Sequence, residues 1–506
     1  TAVQTLDTGG NVEVTGLVAT TGTGTSAGDV TVKATEGYVT LTENSGDNLV
    51  VNSTGAATIQ ATDSATGKDE YDGNITVKGD VKAANAVLVT TDNGNIAVGE
   101  TNAARNITAG TTATLETTNE GDITTFGTVT SATGTTVQTL KTGGDVAVTG
   151  KLVTTGAGDV TVKATEGQVI LTKSGSDPVI TSGDDVLISA SDAVDGEDND
   201  GDITIKGDVT AVKSVSVTTD RGNIQAGTSK GDTDDTPDVA SIITAGTTLG
   251  IEATEKGNID VTGQLITEGA NAGKVSVKTK EGTITFHNNG TDDPTIKSGS
   301  EIDVEATTGD IDVNDDIVSA TSATLKTAQG HVSLTGNMTA NNGNALIQAA
   351  DSKTDPDDGN ITVKGNVLSA TDGVTITTDN GDIQVGVAGT PSAVQAAKAL
   401  EISTTAAGDV SVTGNLTTTD ATAGTVSVKA TEGQVTLTKA GTDVNGNTVN
   451  EVINSANQAT IEAIDQAGKG DNNENDGNIT INDDVKAADA LLITTDNGNI
   501  KAGTGQ

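Results

Sequence analysis

Apolar and polar residues alternate along most of this chain, and the alternation is broken at short intervals by glycine. In GDVTVKATEGQVILT, residues 158 to 172, Val160, Val162 and Ala164 fall on one side and Thr161 and Lys163 on the other. After Thr165, Glu166 and Gly167 the alternation resumes with Val169 and Leu171. A period of two on both sides of a glycine turn predicts strand, turn, strand. Close copies stand at 28 to 42 (GDVTVKATEGYVTLT) and 423 to 438 (AGTVSVKATEGQVTLT), with a looser one, AGKVSVKTKEGTITF, at 272 to 286. The chain is therefore a repeat protein, and its fold has to come from stacking the repeats.

Segments of this type begin near residues 1, 28, 56, 86 and 112 and continue to 458 and 490. They number roughly nineteen, at a spacing of about 27 residues, within the range of solenoid coils. One unit holds three short strands, such as TTVQTL (135 to 140), GDVAVTG (144 to 150) and KLVTTG (151 to 156), separated by TGG and glycine turns. Three strands per turn give a triangular coil. Stacked coils pair each strand in parallel with its counterparts and bury Val, Ile, Leu and Ala in a shared interior. The expected fold is all-β, an elongated three-sided parallel β-helix, on the order of 90 Å long at the usual strand spacing. PSAVQAAKALEI, residues 391 to 402, is Ala-rich enough to suggest helix, but it runs on into the coil pattern and is assigned to strands.

A longer period overlies the first. DGNITVKGDV at 72 to 81 recurs as DGDITIKGDV (200 to 209), DGNITVKGNV (358 to 367) and DGNITINDDV (476 to 485). Each is followed at a nearly fixed distance by TTDNGNI, TTDRGNI or TTDNGDI. The expectation is one continuous solenoid over 1–506, built of four higher-order repeats at approximately 1–135, 136–272, 273–423 and 424–506.

Composition narrows the interior. Aromatic residues make up 1% of the 506, with no Trp, so a thick globular core cannot be assembled, whereas Val, Ile and Thr suit a pleated surface. The formal net charge of −43 opposes nucleic acid and anionic membranes and favours cations as partners. The absence of Cys excludes disulfides and thiolate sites. No apolar run is long enough to span a bilayer. With neither a signal sequence nor a starting Met, the chain reads as a mature product or a piece of something longer.

The segments GDVTVKATEG, GGDVAVTG and GNITVKG resemble the coils of bacterial filamentous-haemagglutinin-type exoproteins. That resemblance implies a right-handed parallel β-helix in an extracellular or cell-surface stalk or adhesin, with a host or neighbouring cell surface as a partner. The expected function is a structural β-solenoid, either a filament subunit or an adhesin shaft, and not an enzyme. The alternative is a carbohydrate-active enzyme, a polysaccharide lyase or hydrolase, on the same fold. The termini suggest self-association. GNIKAGTGQ (498 to 506) placed before TAVQTL reproduces the internal passage at 381 to 414 almost in phase, which predicts head-to-tail stacking or a longer tandem array.

The strongest candidate chemistry is an acidic connection before each DG[ND]I block. The four connections carry Asp63, Asp69 and Asp72; Asp192, Asp198 and Asp200; Asp351, Asp357 and Asp358; and Asp465, Asp471 and Asp476. Clustered carboxylates suit a hard divalent cation such as calcium, while the plain alternative is a solvated acidic turn. His287 and His331 are isolated in the sequence, and no catalytic constellation accompanies them. Asn-x-Thr sequons at Asn74, Asn106, Asn337, Asn360, Asn415 and Asn478 are weak glycan signals in a chain so rich in Asn and Thr.

Overall fold

A computed structural model describes residues 1–6, 9–22, 28–44, 48–63, 73–141, 143–192, 201–228, 240–288, 290, 293–351, 359–465 and 477–503. Among these the only regular element is the β-strand, and every strand-to-strand ladder is parallel. By contacts the chain divides into two units, Thr1–Gly257 and Asn258–Gln506. Each unit is a parallel β-helix.

In the first unit the first face of the coil is made by ten strands, from Ala2–Gln4 through Val30–Thr35 and Ala57–Thr62 to Leu249–Lys256. The second unit contributes nine, from Val275–Glu281 to Leu491–Thr495. These nineteen strands begin within about two residues of the starts read from the alternation. Val32, Ile59, Val89, Leu115, Val137, Val162, Ile188, Val217 and Ile251 stack as one interior column, each in register with the next and each buried. Val277, Val304, Leu325, Ile347, Ile376, Ile402, Val428 and Ile461 do the same in the second unit. β-Branched and γ-branched side chains fill a narrow interior without aromatics, and each one buried contributes about 1.5–3 kcal/mol.

The second and third faces follow in each coil. In Val39–Thr42 and Leu49–Ser53, as in Val169–Thr172 and Ile180–Ser182, they are separate strands. In four places they merge into one nine-residue strand: Ile123–Ser131, Val146–Thr154, Ile259–Thr267 and Val410–Thr418. The turn expected at Gly150 is thus a corner inside a continuous strand. Gly127, Gly150, Gly263 and Gly414 make this corner with φ of 129, 142, 137 and 156°, which side chains rarely adopt. A Cβ on Gly150 would also lie 1.9 Å from the carbonyl oxygen of Gly127 in the coil below. The Ala-rich segment at 391 to 402 forms strands at Ser392–Ala396 and Leu400–Ala407.

Candidate functional site

The residue that precedes a strand at a corner has a backbone N–H with no ladder partner of its own, and an unpaired N–H is costly. Here it is satisfied by an Asn or Asp side chain from the neighbouring coil. At the first corner of the first unit, Asn74 Oδ1 accepts from the N–H of Asn95 (2.7 Å), Asn95 from Asp122 (2.7 Å), Asp122 from Asp145 (2.9 Å) and Asp145 from Gln168 (3.0 Å). In the second unit Asn360, Asp382 and Asp409 form the same ladder up to Gln434. The second corner repeats the device with Asp80, Asn106, Asp316, Asn337 and Asn366, and the third with Asp29, Asp159, Asp185 and Asn344. This explains the recurring Gly-Asx-Val/Ile triplet: the glycine turns the chain, the Asx caps the next coil, and the branched residue enters the core. Part of the acidity is therefore structural. Five of the sequon asparagines, Asn74, Asn106, Asn337, Asn360 and Asn478, are ladder acceptors, and Asn415 is buried with its amide on the Thr442 carbonyl.

The acidic connections are clamped at both ends by the TTD block of the following coil. Asp92 Oδ1 accepts from the N–H of Asp63 (2.7 Å) and of Asn93 (2.9 Å), while Thr91 Oγ1 donates to the Gly73 carbonyl at 2.6 Å. Asp220 and Thr219 hold Asp192 and Gly201 in the same way, Asp379 and Thr378 hold Asp351 and Gly359, and Asp496 and Thr495 hold Asp465 and Gly477. The closing glycines have φ between 74 and 86°, and a Cβ on Gly73 would lie 1.6 Å from the Asn93 carbonyl oxygen. Of the twelve candidate ligands, Asp63 and Asp192 are buried and Asp351 and Asp465 half-buried at the clamp. Asp69, Asp72, Asp198, Asp200, Asp357, Asp358, Asp471 and Asp476 lie outside the described residues. The arrangement is one clamp used four times. The TTD blocks stand out in the sequence only as markers, and the signal for their role is their nearly fixed distance from the Asp-Gly they hold.

Two clusters have no counterpart in the sequence reading. Ligand oxygens of Asp159, Asp184 and Asp185 lie within 4.8 Å of one another. Lys213 already neutralises part of this group, with Nζ 2.5 Å from Asp184, and the Ser214 hydroxyl donates to Asp185 and holds its carboxyl below the usual range. On the second face of the second unit, the two histidines prove not to be isolated. His287 Nε2 is 2.9 Å from Asp260 Oδ2. His331 takes the place of an Asx in the corner ladder: its N–H donates to Asp310 Oδ1 at 2.8 Å, and its Nδ1 accepts from the N–H of Asn360 at 3.3 Å. Asp312, between them, has its carboxyl pushed up by burial and by Asp310, against the opposing influence of His331 and His287.

The first face carries ion pairs along the stack. Lys278 lies 2.9 Å from Asp303 and 3.0 Å from Glu305, Lys274 lies 3.1 Å from Asp303, and Lys326 reaches Glu305 at 3.5 Å. Near the first coils Tyr38 donates to Glu13 beside Thr40, Asn74 and Thr76, lining a shallow groove. No protein-family model matches this chain, and no characterised protein or solved structure shows significant similarity to it.

Proposed function

We propose that this chain is a structural β-solenoid of the extracellular or cell-surface space, a filament subunit or the shaft of a bacterial surface adhesin, continued coil upon coil by another copy or by further coils of the same array. The observation that carries the reading is repetition: each unit is a continuous parallel stack in which the same interior column and the same clamp recur from coil to coil. Leu491 continues the column of Ala459, and Ile500 that of Ile479, yet they are 46% and 48% exposed where Ala459 and Ile479 are buried. The strands Leu491–Thr495 and Ile500–Ala502 also present an unpaired parallel edge, a template for another strand. At the other end, Val3 and Val14 are only half-covered although they stack on the buried Val32 and Leu41. Another coil laid on either edge would cover these residues, and a contact of that kind between copies, repeated without closing, makes a fibre. The same clamp repeated four times also suits a shaft better than a single reaction site.

Sedimentation velocity of the 506-residue chain tests this. The expected result is association that grows with concentration and is lost in Leu491→Lys with Ile500→Lys. Sedimentation as a single species at every concentration and calcium level, or association unchanged in the double variant, would overturn stacking by another copy.

A further inference from the structure

Outside the acidic connections, the second face of the second unit holds one set of oxygens that the protein itself leaves unserved. Asp260 and Thr262 project from the same side of the strand Ile259–Thr267, two residues apart, and Thr262 is in direct register with His287 on Ile284–His287. His287 Nε2 already stands 2.9 Å from Asp260 Oδ2. The other carboxylate oxygen, Asp260 Oδ1, is buried, and neither it nor Thr262 Oγ1 finds a hydrogen-bond partner among the described residues. Thr262 is only 5% exposed although it points away from the core, so solvent does not readily make good the loss.

The Asp260 side chain is 38% exposed as a whole, but its Oδ1 and the Thr262 hydroxyl are shielded from solvent, and a cation there would supply the partner that both lack. We propose that His287, Asp260 and Thr262 form a binding site for a first-row divalent transition metal, zinc being the most accessible. One imidazole nitrogen with carboxylate and hydroxyl oxygens is a borderline donor set, which selects zinc, copper or nickel over calcium. Metal–nitrogen and metal–oxygen bonds of about 2.0–2.1 Å at angles between square and tetrahedral place two ligand atoms about 2.9–3.4 Å apart, so the His287–Asp260 pair needs little movement to take an ion. On binding, the neutral ring carries its one proton on Nδ1, Nε2 gives its lone pair to the metal in place of the contact with Asp260, and Asp260 remains a carboxylate. Asp312 adds negative charge within electrostatic reach of His287. The site is independent of the acidic connections and of end-to-end stacking.

Because the chain has only two histidines, the test can be read directly. The full chain, labelled with 15N-histidine, is titrated with zinc chloride in excess calcium, which occupies exposed carboxylates. The expected result is that one imidazole shifts and saturates at one equivalent of zinc. That signal is absent from His287→Gln and present in His331→Gln, which keeps the assignment secure even if the first variant folds poorly. Asp260→Asn, nearly the same in shape, should weaken zinc binding at least tenfold, and Thr262→Val by a smaller factor. If neither imidazole moves, a hydrogen-bonded His–Asp pair with a trapped water is all the site contains, and the proposal fails. It fails equally if the shifting ring is His331, or if Asp260→Asn binds zinc as tightly as the parent chain.

Discussion

At the scale of the residue, direction decides the cost of a change. Val160 is buried in the column between Thr135 and Val186, while Thr161 faces outward. Val160→Asp should therefore cost several kcal/mol or prevent folding, because it places an unpaired charge in a narrow apolar interior, and Thr161→Asp should cost about 0.5 kcal/mol or less. Equal losses in denaturant titrations would mean that the faces are misassigned. Thr125 is the converse case: it points inward between Val98 and Val148, and its buried hydroxyl has no partner among the described residues. Thr125→Val should stabilise the fold by about 1–2 kcal/mol, and a lower melting temperature would contradict this. The inward positions were legible from period-two alternation alone. The orphaned Thr125 hydroxyl was not, since its place in the alternation says nothing about whether a partner lies within reach across the interior.

At the scale of the element, the corners and clamps decide stability. Asp92 serves two N–H groups through one oxygen, so Asp92→Ala should cost about 2–3 kcal/mol, whereas Asp92→Asn, which keeps an acceptor, should cost less than about 1. Calorimetry that finds the two variants alike would remove the clamp from the account. The ion pairs on the first face give a pH dependence. Burial opposes ionisation of Asp303, but Lys278 and Lys274 outweigh it and hold the carboxyl below its ordinary value. Glu305 is lowered chiefly by its hydrogen bond with Lys278. Groups so lowered stabilise the fold above their unfolded pKa and lose that contribution as pH falls through the folded one. Lys278, raised despite burial, loses its contribution only as pH rises through its own folded value. The expected stability profile has an acid limb that flattens in Asp303→Asn, and an unchanged limb would contradict the assignment. The repeat and its three strands per coil were visible in GDVAVTG and KLVTTG. The merging of two faces through Gly150 and the Asx ladders were hidden, because both depend on what the neighbouring coil presents at the corner.

At the scale of the whole molecule, charge and repetition govern behaviour. Seventy acidic residues against 27 basic ones leave strong self-repulsion, and the corner ladders put part of the acidic charge to structural use without cancelling it. Cations gathered at the acidic connections should favour the folded state, so at low ionic strength the melting temperature should rise with calcium and fall with chelator. No change would leave those connections as solvated turns. The acidic stretches were legible as acidic, but their opening and closing residues are explained by hydrogen bonds to TTD blocks far along the sequence, a relation only stacking creates. The proposal that copies of this solenoid stack coil upon coil is tested most directly by cryo-electron microscopy of the concentrated chain. The expected result is particles joined end to end, with the strand spacing of about 4.8 Å unbroken where the Leu491–Thr495 edge of one copy meets the Ala2–Gln4 edge of the next. Separate particles of one fixed length at every concentration, with no end-to-end contacts, would contradict it.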